Sequence, residues 1–214
     1  MLKVGLTGGI AAGKSTVGEI FVELGAHLVQ ADVIAHELMQ PGEAVYRNVV
    51  EHFGEGILNP DKTVNRARLA EAAFSGAGAE GPVSRIEELN RIVHPAVIQR
   101  QEEWMESVGR KDRHAIAIVE AALILEAGVG KRFDRLVVVT SRPEQRTQRW
   151  AKRTGVDEEA ARREVTRRMA AQLPDEEKIK AADFVIDNSG ALDETRVRVK
   201  EVYDELRKLS QASE

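Results

Sequence analysis

The run Gly8-Gly9-Ile10-Ala11-Ala12-Gly13-Lys14-Ser15-Thr16 fills every fixed position of the pattern G-x-x-x-x-G-K-[ST] without a gap. No other feature constrains the fold as much, because such a string works only as the joint between a strand and a helix. Val4-Gly5-Leu6 supplies a short apolar strand ahead of it, and Val17, Ile20, Phe21 and Leu24 follow at helical spacing. In that setting the glycines let backbone N–H groups converge on phosphate oxygens, and the helix N-terminus adds partial positive charge. Lys14 is placed to reach the β- and γ-phosphates, and the Ser15 hydroxyl to hold Mg²⁺. A nucleotide site is therefore expected at the first strand–helix joint. The motif leaves open which nucleotide binds and where its phosphate goes.

The rest of the chain continues the alternation that the motif begins. Apolar runs at Leu2–Thr7, Ala26–Val29, Ala115–Val119, Arg135–Thr140 and Phe184–Ile186 read as buried strands with helical patterns between them. Parallel strands joined by crossover helices imply an α/β fold in three layers, here a five-stranded sheet covered on both faces. Ligands of such sheets sit beyond the carboxyl ends of the strands. That edge would carry the phosphate loop, Asp32 after the second strand and Glu120 after the third. Two insertions interrupt the pattern. The first, Val33 to Arg113, holds helical segments, a turn-rich stretch at Asn59-Pro60-Asp61-Lys62 and a small-residue loop at Ser75–Pro82. The second, Pro143 to Gln172, reads as an arginine-rich helical pair, with Pro143 suited to a first helical turn. The expected organisation is a nucleotide-binding core from residues 1–32, 114–142 and 173–214, a helical substrate domain over 33–113 and a lid over 143–172. An amphipathic helix from Leu192 to Leu209 closes the core.

Composition excludes several chemistries. The 214 residues contain no Cys, which removes disulfides, thiolate metal sites and a cysteine nucleophile together. No apolar run approaches the roughly 18 residues of a membrane span. The start, Met1-Leu2-Lys3-Val4, leads directly into the first strand, so no signal peptide is expected and the protein is read as cytoplasmic, without a membrane partner. A net charge of −4 argues against a nucleic-acid partner. The cations are nevertheless concentrated in the second insertion, where Arg142, Arg146, Arg149, Lys152, Arg153, Arg162, Arg163, Arg167 and Arg168 outnumber the acids.

Phosphoryl transfer asks a protein for positioning and charge neutralisation. Asp32 can accept a proton if the acceptor is a hydroxyl; a phosphate acceptor would call for an arginine clamp instead. The alternative for Asp32 is an N-cap of the following helix. Glu120 is a candidate for Mg²⁺, directly or through water, as an acid at a strand end. Glu126 reads as structural or substrate-side. Arg146, Arg149 and Arg153 lie at i, i+3 and i+7, so one helix face presents all three, and Arg149 is the preferred contact for the transferred phosphate. Without a polyanion these arginines would repel one another and hold the lid open. His94 precedes Pro95 and is read as marking a helix boundary.

These pieces, taken in order, resemble the dephospho-coenzyme A kinase family over essentially the whole chain. Its marks are Gly5-Leu6-Thr7-Gly8-Gly9-Ile10 running into Gly13-Lys14-Ser15-Thr16, then Ala31-Asp32 with His36, Arg66 to Leu69 and Phe74. Ile92-Val93-His94-Pro95, Leu123 to Glu126, Arg149, Ala171-Gln172 and Asp187-Asn188-Ser189-Gly190 follow. The resemblance implies a kinase using ATP and Mg²⁺, with 3′-dephospho-CoA as its small-molecule partner and the ribose 3′-hydroxyl as acceptor. It further implies that Gly9 and Ala11, Ala12, Gly13, Lys14, Ser15 and Thr16 hold ATP phosphates, that Asp32 is the base, and that Arg149 is the lid cation. Arg66 and His94 fall on the coenzyme A side, and Asn188 near the adenine. A monomer is expected, with weak self-association as the alternative. The chain departs from the family pattern at Ala12, where Ser is common, at Gln30 and Asn65, where acids are common, and at Ala122, where Pro is common. Other readings are a nucleoside monophosphate or other small-molecule P-loop kinase, and a nucleotide-dependent switch. A guanine-binding switch would carry Asn-Lys-x-Asp, which the sequence lacks.

Overall fold

The computed structural model describes residues 1–74 and 85–212, so the loop expected at Ser75–Pro82 lies outside the described residues. In chain order the strands and helices are β1 (Leu2–Gly8), α1 (Lys14–Glu23), β2 (His27–Gln30), α2 (Ala31–Leu38), α3 (Ala44–Phe53), α4 (Arg66–Phe74) and α5 (Ile86–Lys111). They continue as β3 (Ile116–Glu120), β4 (Arg135–Thr140), α6 (Pro143–Thr154), α7 (Glu158–Ala170), α8 (Asp175–Ala181), β5 (Phe184–Asp187) and α9 (Leu192–Ala212). The chain divides into two compact units, one from residues 1–30 and 105–214, the other from residues 31–104.

The first unit is built on a five-stranded, wholly parallel sheet in the order β2-β3-β1-β4-β5. Both faces of this sheet are covered, which explains why its strands read as continuous apolar runs instead of alternating ones. On one face Leu2, Val4, Leu6, Ile116, Ile118, Val137, Val139 and Ile186 meet Val17, Ile20 and Phe21 of α1 and Val199, Val202 and Leu206 of α9. On the other, Leu136 and Val138 pack with Ile124, Leu125, Val129 and Phe133 from the segment after β3. The register aligns Leu6 with Glu120 and Gln30 with Glu120, so the ends of β1, β2 and β3 meet at one carboxyl edge. Glu120 is itself the last residue of β3 and not the first beyond it. At the far side β5 is an edge strand of four residues, and Arg198 Nε donates to Val185 O at 3.3 Å from α9.

The second unit is helical. Asn65 precedes α4, and its Oδ1 accepts the N–H groups of Ala67 and Arg68, an N-cap that an acid would also provide. The turn-rich stretch ahead of it closes on the Leu58–Val64 bridge, with Lys62 at φ 67 and Thr63 Oγ1 donating to Asp61. Two expectations are corrected here. His94 is not a boundary: α5 runs through it, with Pro95 inside the helix. A 26-residue helix has enough other bonds to absorb the one that proline removes. Asp32 is not an N-cap either. It lies within the first turn of α2, where its charge acts on the helix dipole and not through a cap geometry.

Candidate active site

The phosphate loop connects β1 to α1 through two residues at positive φ, Ala11 at 51° and Gly13 at 98°. Gly13 is the N-cap of α1. A Cβ there would stand 2.0 Å from Asn188 Nδ2, so close packing as well as backbone conformation requires glycine. A Cβ on Gly9 would stand 2.4 Å from Arg146 Nη1. Side chains therefore press on the loop from behind. Ala12 is fully buried, and its carbonyl accepts from Asn188 Nδ2 at 2.9 Å and Arg149 Nη1 at 3.1 Å. Ile10 N–H donates to Gln172 Oε1 at 3.1 Å. Lys14 Nζ donates to the carbonyls of Gly8 at 3.0 Å and Gly9 at 3.1 Å. That bend holds the ammonium over the loop.

The carboxyl edge of the sheet supplies an acid. Glu120 is buried, and its two oxygens are divided: Oε1 accepts from Ser15 Oγ at 3.1 Å and Oε2 from Gln30 Nε2 at 2.9 Å. An acid at position 30 would face Glu120 with like charge; Gln30 donates to it instead. Ser15 Oγ and Glu120 Oε1 together make a hard, all-oxygen donor pair of the kind that suits Mg²⁺, which keeps most of its coordination for water and phosphate. Among the described residues no group of three or more His, Cys, Asp or Glu is arranged to hold a metal.

The arginine-rich helices are not the uniform basic face that their sequence suggests. Pro143 starts α6, and Gly155, at φ 72, ends it. Arg146 is buried at 1 % exposure; it ion-pairs with Asp175, and its Nε donates to Ser141 O at 2.9 Å. The Arg153 guanidinium lies over the Trp150 ring, 4.7 Å from its centroid, and so does that of Arg168. Arg149 hydrogen-bonds to the loop, holding Ala12 O as well as Asn188 O, whereas Arg146 only packs against it at Gly9. On α7 the cations are paired locally, Arg162 with Glu158, Arg163 with Glu159, and Arg167 and Arg168 with Glu164. Hydrogen bonds from Arg167 and then Arg168 hold the Glu164 carboxyl down to about 2. This pairing offsets much of the mutual repulsion along α7, although Arg167 and Arg168 share one carboxylate.

The structure thus brings Lys14, Ser15, Glu120, Arg149 and Asn188 together around Gly9 to Thr16 in the first unit. Asp32, Arg66 and His94 belong to the second unit, and all three are exposed. Three residues here have roles that sequence reasoning did not assign: Gln30 stood out only as a departure from the family pattern, Gln172 only as one of its marks, and Thr195 not at all. Gln30 is found only once β2 is known to lie beside β3. Gln172 and Thr195, the latter donating to Asn188 Oδ1 at 3.0 Å, lie far from the loop in sequence. Glu126 is structural: its Oε1 accepts from Leu173 N–H and pairs with the fully buried Lys178 at 2.9 Å.

The dephospho-CoA kinase family model matches residues 2–194. A dephospho-CoA kinase from Aquifex aeolicus is 39 % identical over 206 residues, covering 96 % of this chain and 98 % of its own. A crystal structure from Thermus thermophilus superposes with a TM-score of 0.74 at 29 % identity, covering 96 % of this chain and 97 % of that one. The dephospho-CoA kinase from Campylobacter jejuni superposes at 0.67 with 25 % identity, covering the same shares. With the family model matched over residues 2–194 and such relatives aligned over nearly their full length, the chain belongs to the dephospho-CoA kinase family.

Proposed function

We propose that this protein phosphorylates the ribose 3′-hydroxyl of 3′-dephospho-CoA with ATP, releasing CoA and ADP. What supports the reading most is that the family match spans residues 2–194 and so includes the phosphate loop, Asp32 and Arg149. The acceptor oxygen attacks the γ-phosphorus, the bond to the β–γ bridging oxygen breaks, and the hydroxyl proton passes to Asp32. Lys14 and the N–H groups of residues 9–16 hold the phosphates, and Arg149 leaves Ala12 O to meet the transferred group. Ser15, and Glu120 through water, would hold Mg²⁺, which spreads the charge of the β- and γ-oxygens. Arg66 and His94 serve the coenzyme A side in a substrate domain over 33–113, and residues 143–172 act as the lid. The reading carries with it a monomeric, cytoplasmic enzyme.

The test is ADP release from ATP with dephospho-CoA, AMP or no acceptor, followed by location of the new phosphate. Turnover with dephospho-CoA alone and a 3′-phosphate in the product is expected. Turnover with AMP instead would move the protein to the monophosphate kinases. Lys14→Ala should abolish turnover while melting like the parent, because the loop itself then offers the phosphates only neutral backbone and hydroxyl donors. Near-parental rates at saturating ATP would remove the loop from the mechanism.

A further inference from the structure

We infer that Asn188 and Thr195 are positioning residues that lock the Ala12–Gly13 peptide plane, aiming the Gly13 N–H into the phosphate cradle. The inference rests on the reading of residues 9–16 as that cradle. It starts from a local weakness. Rotating this peptide plane changes ψ of Ala12 and φ of Gly13, and a glycine at φ 98° accepts either sign of φ at little cost. Nothing in the loop itself therefore fixes which way the plane faces. In a trans peptide the C=O and the N–H point in opposite directions, and there is no cis bond among the described residues. Whatever grips Ala12 O sets the direction of Gly13 N–H.

Two donors grip it, Asn188 Nδ2 at 2.9 Å and Arg149 Nη1 at 3.1 Å. They differ in permanence. Arg149 is half-buried on α6 and is the cation expected to turn toward phosphate, which would release the carbonyl during turnover. Asn188 is buried, and its amide is oriented by a second buried group, Thr195 Oγ1, which donates to Asn188 Oδ1 at 3.0 Å. An amide turned the other way would set Oδ1 against Ala12 O, acceptor against acceptor. Thr195 lies in the first turn of α9, so a helix packed into the core through Val199, Val202 and Leu206 holds the orientation. Both polar ends of the Asn188 side chain are used within the protein. Its contribution to nucleotide binding is therefore made through the backbone of the loop.

The experiment compares Thr195→Val, which keeps the shape and removes the hydroxyl, with Thr195→Ser, which keeps the hydroxyl. Three readings are taken without acceptor: ATP affinity by calorimetry, the Gly13 amide resonance by ¹H–¹⁵N NMR, and the melting temperature. T195V should bind ATP about three- to tenfold more weakly, the scale of one hydrogen bond. Its Gly13 resonance should broaden, and in turnover KM for ATP should rise more than kcat falls. T195S should restore all of these. Parental affinity and a sharp Gly13 resonance in T195V would overturn the inference. So would T195S as defective as T195V, which would assign the effect to the methyl group. If T195V does not fold, the same comparison is made with T195A. Failure of the parent protein to bind ATP at all would instead sink the cradle reading, an outcome separate from a parent that binds and a T195V that binds equally.

Discussion

Asp32 stands exposed in the first turn of α2, two residues past the end of β2. A carboxylate there gains from the helix dipole, so Asp32→Asn should cost about 0.3–1 kcal/mol of stability. The chemical cost should be much larger. If Asp32 takes the acceptor proton, kcat should fall by roughly 10²-fold or more while ATP affinity is kept. Steady-state kinetics and calorimetry on the purified variant check this. Unchanged kcat would reduce Asp32 to a helix-dipole residue and reopen the monophosphate-kinase reading. At this scale the sequence was informative where one motif states a complete local chemistry, as at Lys14 and Ser15. It was silent where a role depends on a partner distant in the chain. Nothing in the neighbours of Gln30 says that it will donate to Glu120, or in those of Thr195 that it will orient Asn188.

The α6–α7 pair shows how a charge-rich element can be neutral in its parts. Asp157 caps α7 by accepting Ala160 N–H at 2.8 Å, Glu158 and Glu159 occupy its first turn, and Arg167 and Arg168 its last, an order that suits the helix dipole. Glu164 joins the last two cations. Its carboxyl is held below its ordinary 4.5, at about 2, so its contribution is complete above pH 4.5 and disappears as the pH falls toward 2. The side chains are partly exposed, and screening limits the contribution to about 0.5–1 kcal/mol. A Glu164→Gln variant should lose this acid-sensitive component, seen as a flatter melting-temperature profile between pH 4.5 and 2. The proposed lid adds a second expectation. Arg146 anchors the start of α6 through Asp175, so closure over ATP should change protection mainly beyond Arg149. Hydrogen exchange should slow there on adding ATP with acceptor, and Arg149→Ala should weaken that response. Indifference to ligand would end the lid reading. The helical pair was legible from Pro143 and its periodicity. The pairing of its charges was less so, because i,i+3 and i,i+4 partners compete until the backbone is placed.

Across the whole molecule, the alternation of apolar runs and helical patterns gave the α/β class and five strands to within a residue or two at their ends. Strand order was not legible, since many orders satisfy the same alternation. The order found puts β1 between β3 and β4, so the strand that feeds the phosphate loop is fixed from both sides. The order also leaves β2 and β5 at the margins, each four residues long. An open margin offers backbone groups to any other extended chain. Here Arg198, bonded to Val185 O and ion-paired with Glu201 at 2.8 Å, sets a charge across the β5 margin. Arg198→Val should therefore leave turnover intact and raise light scattering on mild heating at high concentration. Parental scattering would show that the shortness of β5 suffices. On this expectation the consequence of the arginine is colloidal, keeping a concentrated enzyme from joining its sheets to those of its neighbours.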